Sequence, residues 1–295
     1  MRLAFIGLGN IGLPMAISAM RSGLSVIAYD LDGKRVEAAA KAGATPAGSS
    51  AQAAAAADAV VTMVQSGEHS RQVYLADGVI GQARPGTILI DCSTVDIATA
   101  GVLQAAAEAA GLEMVDAPVS GGALRAAQGD LTITVGGSDS AFGRARPILE
   151  AMASSVHHMG PGCAGIAAKI CNNLVLGIQL AALSEAFVLG ERLGLEPQKL
   201  FQSMSGSSAQ SWCLQELCPA PGAAATSPAN HGYEARGAAS LLLKDLGIAQ
   251  QAALDEKVPF PMGAAALSLY TMLNNSGMGH LDVCAVIKMY QNAHA

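Results

Sequence analysis

The sequence predicts an α/β protein: a Rossmann-type, doubly wound and mostly parallel sheet, followed by an all-α C-terminal domain. Three observations carry that expectation. Short apolar runs alternate with alanine-rich helical stretches through the first half of the chain, the order expected of repeated strand–helix units. The first run breaks into Gly7-Leu8-Gly9-Asn10-Ile11-Gly12, then come a helical stretch, a second apolar run and an acid. Beyond residue 162 strand signals stop and only helical patterns remain.

Arg2-Leu3-Ala4-Phe5-Ile6 reads as the first strand, Pro14 to Arg21 as the first helix, and Val26-Ile27-Ala28-Tyr29 as the second strand, closed by Asp30. Further strands are expected at 59–63, 87–91, 113–116 and 131–135, with helices around 33–42, 50–57 and 96–110. The alanine tract within 51–57 is explained by helix propensity alone. Val156-His157-His158-Met159 reads as a last short strand, ended by Gly160-Pro161-Gly162. From Ala164 to Leu193 the chain reads as one long apolar helix, with more helix at 197–204, 236–255 and 262–276. A loop rich in Ser, Ala, Pro and Gly is expected at 206–232. At 295 residues the chain is long enough for two domains, placed at 1–162 and 163–295.

Composition excludes several classes. A net charge of −6, with no lysine or arginine cluster longer than two residues, argues against a nucleic-acid partner. The start reads as a core strand and not as a signal peptide. No uninterrupted stretch of 18 or more apolar residues is found, so no membrane span is expected. Six cysteines without C-x-x-C spacing suggest neither a zinc site nor a disulfide scaffold, and point to reduced thiols in the cytoplasm. No metal site is expected.

Each part of the glycine turn has a physical task. Gly7 permits a sharp turn, Gly9 removes a side chain so that backbone can approach a pyrophosphate, and Gly12 lets helix and strand pack closely. Leu8, Asn10 and Ile11 complete the turn, and the N–H groups opening the helix face the phosphates. Asp30 stands where a carboxylate accepts hydrogen bonds from both hydroxyls of an adenosine ribose. A 2′-phosphate would meet like charge there and Leu31 offers no compensation, so NAD is expected in preference to NADP, although Lys34 and Arg35 are near in sequence.

In an open parallel sheet, ligands bind beyond the carboxyl ends of the strands. Three strand ends carry unusual polar content: Val64-Gln65-Ser66-Gly67-Glu68-His69, Asp91-Cys92-Ser93-Thr94, and Asp116-Ala117-Pro118-Val119-Ser120-Gly121-Gly122. The Ser-Gly-Gly turn presents a hydroxyl and unshielded N–H groups that suit a carboxylate or phosphate; an ordinary loop is the alternative. Lys169 and Asn173, four apart, share one face of the long apolar helix. A lysine there either snorkels to solvent or serves as a general acid/base, brought down from about 10.4 by desolvation and a nearby nicotinamide cation. His69, His157 and His158 are competitors for that role, but no acid is placed in sequence to orient the His157-His158 pair.

Taken together, Gly7–Gly12 with Pro14-Met15, Asp91-Cys92-Ser93-Thr94, Asp116–Gly122, Lys169-Ile-Cys-Asn-Asn173 and Lys244-Asp245-Leu246-Gly247 resemble the β-hydroxyacid dehydrogenase family over nearly the whole chain. Within it, Ser211-Trp212 and Pro219-Ala-Pro-Gly222 resemble the hydroxyisobutyrate- and serine-oxidising branch. Leu217-Cys218 stands where that branch carries a tyrosine, and Gln65 where it carries a proline. The resemblance implies catalysis in a cleft between an NAD(P)-binding domain and an all-α domain. It implies that Lys169 is catalytic, that Asn173 orients the substrate, that Ser120, Gly121 and Gly122 hold its carboxylate, and that Trp212 borders it. Val64, Gln65, His69 and Thr94 would line the cofactor and Lys244 would reach the nicotinamide end. The implied reaction is NAD-dependent oxidation of a small β-hydroxy acid to its semialdehyde, or the reverse, with 3-hydroxyisobutyrate, L-serine and tartronate semialdehyde as candidate substrates. The apolar, α-helical second domain points to a homodimer or homotetramer. A dinucleotide-binding protein without chemistry is the contrasting reading, and it has no need of both Lys169 and Asn173.

Overall fold

The computed structural model describes residues 1–291. The chain divides into two compact units, Met1–Lys169 and Ile170–Ala295. That division falls inside the long helix, whose first turn packs on the sheet.

In the first unit, β1 (Arg2–Ile6) leads into α1 (Gly12–Arg21), β2 (Ser25–Tyr29), α2 (Gly33–Lys41), β3 (Thr45–Pro46), α3 (Ser50–Ala55) and β4 (Ala59–Thr62). A helical passage follows, made of α4 (Gly67–Arg71), a π turn at Gln72–Ala76 and α5 (Val79–Gln82). Next come β5 (Ile88–Asp91), α6 (Ile97–Ala109), β6 (Glu113–Asp116), β7 (Val119–Ser120), α7 (Gly122–Gln128), β8 (Leu131–Gly136), α8 (Asp139–Glu150) and β9 (Ala153–Gly160). The sheet runs β3-β2-β1-β4-β5-β6-β8-β7, with β9 against β8. All pairs from β3 to β6 are parallel.

The apolar runs are continuous because both sheet faces are covered. Leu3 and Phe5 of β1, Ala59 and Val61 of β4, and Ile88 and Ile90 of β5 enter one core. The alternate residues Ala4 and Ile6, Val60, and Leu89 enter the other. Side chains alternate at each step of a strand, so one sequence run feeds two layers. Asp32, Ser49, Ser66, Asp96 and Ser138 cap the helices that follow them, each accepting an N–H of the first turn.

Several elements were not legible in the sequence. β3 and β7 are two residues long, too short for a period to register. The β8 run is antiparallel to β6 and β7, because β7 and α7 make a tight excursion before it. Helix α8 was obscured by Pro147 within it, and α7 by the glycines at both its ends.

Helix α9 (Ala164–Arg192) continues from the first unit into the second, where α10 (Pro197–Ser205), α11 (Trp212–Leu217), α12 (Ala239–Asp255), α13 (Pro261–Leu273) and α14 (Lys288–Gln291) follow. The expected loop 206–232 therefore contains a helix, whose start Ser211 caps by accepting the Leu214 N–H, and a 3-10 turn at Pro228–His231. The second core joins Leu180, Leu183 and Phe187 to Leu242, Leu246, Tyr270 and Leu273. Gly177 admits the Leu246 side chain, which would stand 3.0 Å from any Cβ there. By length and composition α9 is apolar enough to cross a membrane, a test that the core helix of a soluble protein also passes.

Candidate active site

The sheet order reverses between β1 and β4, so their carboxyl ends flank the crevice where open α/β sheets bind ligands. The glycine turn lies there. A Cβ on Gly7, at φ 92°, would strike the Met63 carbonyl, and one on Gly12 would strike the Gly7 carbonyl. A Cβ on Gly9 would meet only the Arg35 guanidinium, 3.7 Å away, so Gly9 leaves open space above the turn. Helix α1 begins without a side-chain cap at Ile11, which leaves its first N–H groups for an anion. Asp30 accepts the Leu8 N–H at 2.6 Å and the Asp32 N–H at 2.8 Å, which ties the end of β2 to the turn. These residues fit a dinucleotide: small where the backbone must approach and N–H-rich where phosphate would sit, with a carboxylate at the ribose end.

Around the next strand ends, the Val64 N–H donates to Ser93 Oγ at 2.9 Å and brings the β4 and β5 turns together. A buried network lies beneath them: Tyr74 Oη and Thr62 Oγ1 stand 3.0 Å apart, Thr62 donates to Asp91 at 2.8 Å, and Asp91 accepts the Ser93 N–H at 3.0 Å. Burial pushes the Asp91 carboxyl above the usual carboxylate range. Thr94 is half-buried, while Gln65 and His69 are exposed. The His69 ring is tied through Nδ1 to Ser66 Oγ at 2.8 Å.

The Ser-Gly-Gly turn closes β7. Gly121 at φ 133° and Gly122 at φ 70° take backbone conformations that favour glycine, and α7 starts there with no side-chain cap. Lys169, on α9, does not snorkel to water alone: its Nζ donates to Ser120 Oγ at 3.0 Å. In the second unit, one turn further along α9, Asn173 is buried and donates through Nδ2 to Asp245 Oδ2 at 2.6 Å. Lys244 stands beside the same carboxylate, 3.5 Å from Oδ1. Trp212 opens α11 and is 61% exposed.

Two acids went unassigned at the sequence level, Asp116 and Asp245. Both are buried. The available signal was an acid closing an apolar strand in one case and an acid on an apolar helix in the other. The histidine pair needs a correction: Asp139 does lie beside it, 3.5 Å from His158 Nδ1, because Gly137 and Ser138 turn α8 back against β9. His158 stacks on Phe142 with ring centres 4.4 Å apart and bonds the Gly137 carbonyl, which accounts for its place by packing. Among the described residues no His/Cys/Asp/Glu group could hold a metal ion.

A dinucleotide turn at the switch point, with a lysine, serine and glycine-rich turn at a neighbouring strand end, defines an NAD(P)-binding oxidoreductase. Comparisons with known proteins agree. Residues 2–160 match the NAD binding domain of 6-phosphogluconate dehydrogenase, and residues 163–290 match the NAD-binding domain of NADP-dependent 3-hydroxyisobutyrate dehydrogenase. The chain is 40% identical over 290 residues to an NAD-dependent L-serine dehydrogenase of Pseudomonas aeruginosa, covering 98% of this chain and 97% of that one. It is 41% identical to a probable 3-hydroxyisobutyrate dehydrogenase of Mycobacterium tuberculosis, covering 97% and 96%. A solved structure of Mycobacterium tuberculosis 3-hydroxyisobutyrate dehydrogenase with L-serine superposes with a TM-score of 0.94 at 40% identity, over 98% of this chain and 99% of that one. The chain belongs to the β-hydroxyacid dehydrogenase family and is an oxidoreductase that acts on CH–OH groups with a nicotinamide cofactor.

Proposed function

We propose that this protein is an NAD-preferring dehydrogenase of a small β-hydroxy acid of the 3-hydroxyisobutyrate type, with Lys169 as general acid/base. The observation that carries the reading is the Lys169 Nζ to Ser120 Oγ contact of 3.0 Å, which places the amine against the Ser-Gly-Gly turn. Ser120 and the Gly121 and Gly122 N–H groups hold the substrate carboxylate. Lys169 takes the proton of the β-hydroxyl, and Asn173 orients the substrate. Bound nicotinamide supplies the hydride acceptor. Val64, Gln65, His69 and Thr94 line the cofactor, Lys244 serves its nicotinamide end, and Trp212 borders the substrate.

L-serine is the second reading, supported by the named activity of one relative and by the ligand in one solved structure, each 40% identical. Initial rates of NADH formation with 3-hydroxyisobutyrate, L-serine and glycerate, the alcohol corresponding to tartronate semialdehyde, separate these readings by kcat/KM. No turnover of any of them, with NAD still bound, leaves a binding-only protein.

The reading includes a homodimer or homotetramer in a reducing compartment, the cytoplasm. Only 39% of the most apolar stretch of α9 is buried, and Val175 and Leu189 on the helix are exposed. A second copy covering that apolar surface accounts for it.

A further inference from the structure

We propose that Asp116 is a positioning residue of the active site: its carboxylate clamps the start of α9 and so sets the Lys169–Ser120 geometry. Its Oδ2 accepts the Ile166 N–H at 2.8 Å, while Oδ1 accepts the Cys163 N–H and Gln104 Nε2, each at 2.8 Å. Both oxygens are thus spent on the first turn of α9 and on one side chain of α6. A carboxylate there satisfies helix N–H groups that have no partner of their own and suits the positive end of the helix dipole.

The surroundings are shaped for this clamp. A Cβ on Gly136 would lie 2.5 Å from Asp116 Oδ1 and 2.6 Å from the Ala164 nitrogen. One on Gly165 would lie 2.6 Å from the Thr134 carbonyl and 2.7 Å from that of Asp116. Glycine at both positions lets the helix end come down onto the sheet. Thr134 Oγ1 adds a bond to the Gly165 carbonyl at 3.1 Å. Cys163 enters the helix at φ 71°, a conformation that side chains rarely adopt, and its N–H is the one Asp116 holds.

The consequence is a closed ring. Asp116 begins the turn that ends in Ser120, and Ile166 begins the helical turn that ends in Lys169. The ring closes through the carboxylate at one end and the Nζ–Oγ bond at the other. Serine and lysine therefore hang from the same carboxylate, and a shift of the helix end moves the amine relative to the carboxylate-binding turn. A misplacement of ~1 Å at a reacting group is enough to cost about a hundredfold in rate.

The proposal rests on Lys169 as the acid/base, and the test separates the two. Asp116→Asn puts an amide donor toward an N–H donor and releases one side of the clamp. Its kcat is expected to fall between about tenfold and a hundredfold, with NAD affinity unchanged. In a Lys169→Ala background the same substitution is expected to cost nothing further in kcat, measured by single-turnover NADH formation. An equal loss in both backgrounds makes Asp116 merely structural and overturns the proposal, as does no loss in either. Near-normal turnover of Lys169→Ala alone overturns the lysine reading instead. If Asp116→Asn fails to fold, Gln104→Leu, which frees Oδ1 from one donor and leaves the helix intact, is read in the same cycle. Any result other than a loss that vanishes with Lys169 overturns the proposal.

Discussion

Lys169 Nζ donates a hydrogen bond to Ser120 Oγ across 3.0 Å. A helix and a sheet-edge turn meet at this bond, and the proposed role of Lys169 rests on it. Lys169→Ala is expected to lower kcat by about a hundredfold to ten-thousandfold, the range for losing a general acid/base. Lys169→Arg is expected not to rescue, since a guanidinium stays protonated. The rise of kcat/KM with pH for oxidation should be absent in Lys169→Ala. Turnover within about threefold of wild type would pass the role to His69.

The carboxylate of Asp30 stands 3.8 Å from the Arg35 guanidinium. NAD is expected to be preferred by at least about tenfold in kcat/KM, ~1.4 kcal/mol, because Asp30 repels a 2′-phosphate. Asp30→Ala frees Arg35 to meet that phosphate, so the ratio of NADP to NAD use should rise. Equal use of both cofactors by wild type would refute the preference and name Arg35 as the phosphate partner.

Asp245 anchors the amide of Asn173 at 2.6 Å, and both side chains are buried. Asp245→Ala leaves a buried amide without its acceptor, at a cost of about 1–3 kcal/mol in stability. Asn173 also loses its fixed orientation. The expected kinetic result is a higher KM for the hydroxy acid with an unaltered Kd for NAD. Unchanged KM would confine the pair to packing.

Trp212 is 61% exposed although it is the chain's single tryptophan. As a wall of the substrate site it should change its fluorescence when substrate joins the enzyme–NAD complex. Trp212→Ala should then raise KM more than it lowers kcat. An unchanged KM removes it from the site.

Asp91 is buried, and its carboxyl is raised above the ordinary 3.8 by desolvation. A carboxyl raised in the folded state binds its proton more readily there than in the unfolded chain. Its contribution is therefore favourable below about the ordinary value and declines as pH rises through the folded one. Asp91→Asn keeps an oxygen to accept from Thr62 and from the Ser93 N–H, without a buried charge. The variant is expected to match or exceed wild-type stability at pH 7, with the gap narrowing on acidification toward pH 4. Urea midpoints across that range test it, and a gap that widens on acidification would contradict the assignment.

Local chemistry determined much of this protein directly. The glycine turn, the runs that alternate into two cores, the acid after β2 and the long apolar helix are each written within a few residues, because turn geometry and side-chain period are properties of short segments. The class of reaction was legible for the same reason, since its motifs are contiguous. What only the tertiary structure decided involves partners far apart in the chain. That Lys169 meets Ser120, that Asp116 holds the head of α9, that Asn173 pairs with Asp245 and that Arg35 closes on Asp30 all depend on which elements the packing brings together. Short strands such as β3 and β7 belong there too: two residues carry no period, and their neighbours in the sheet alone make them strands.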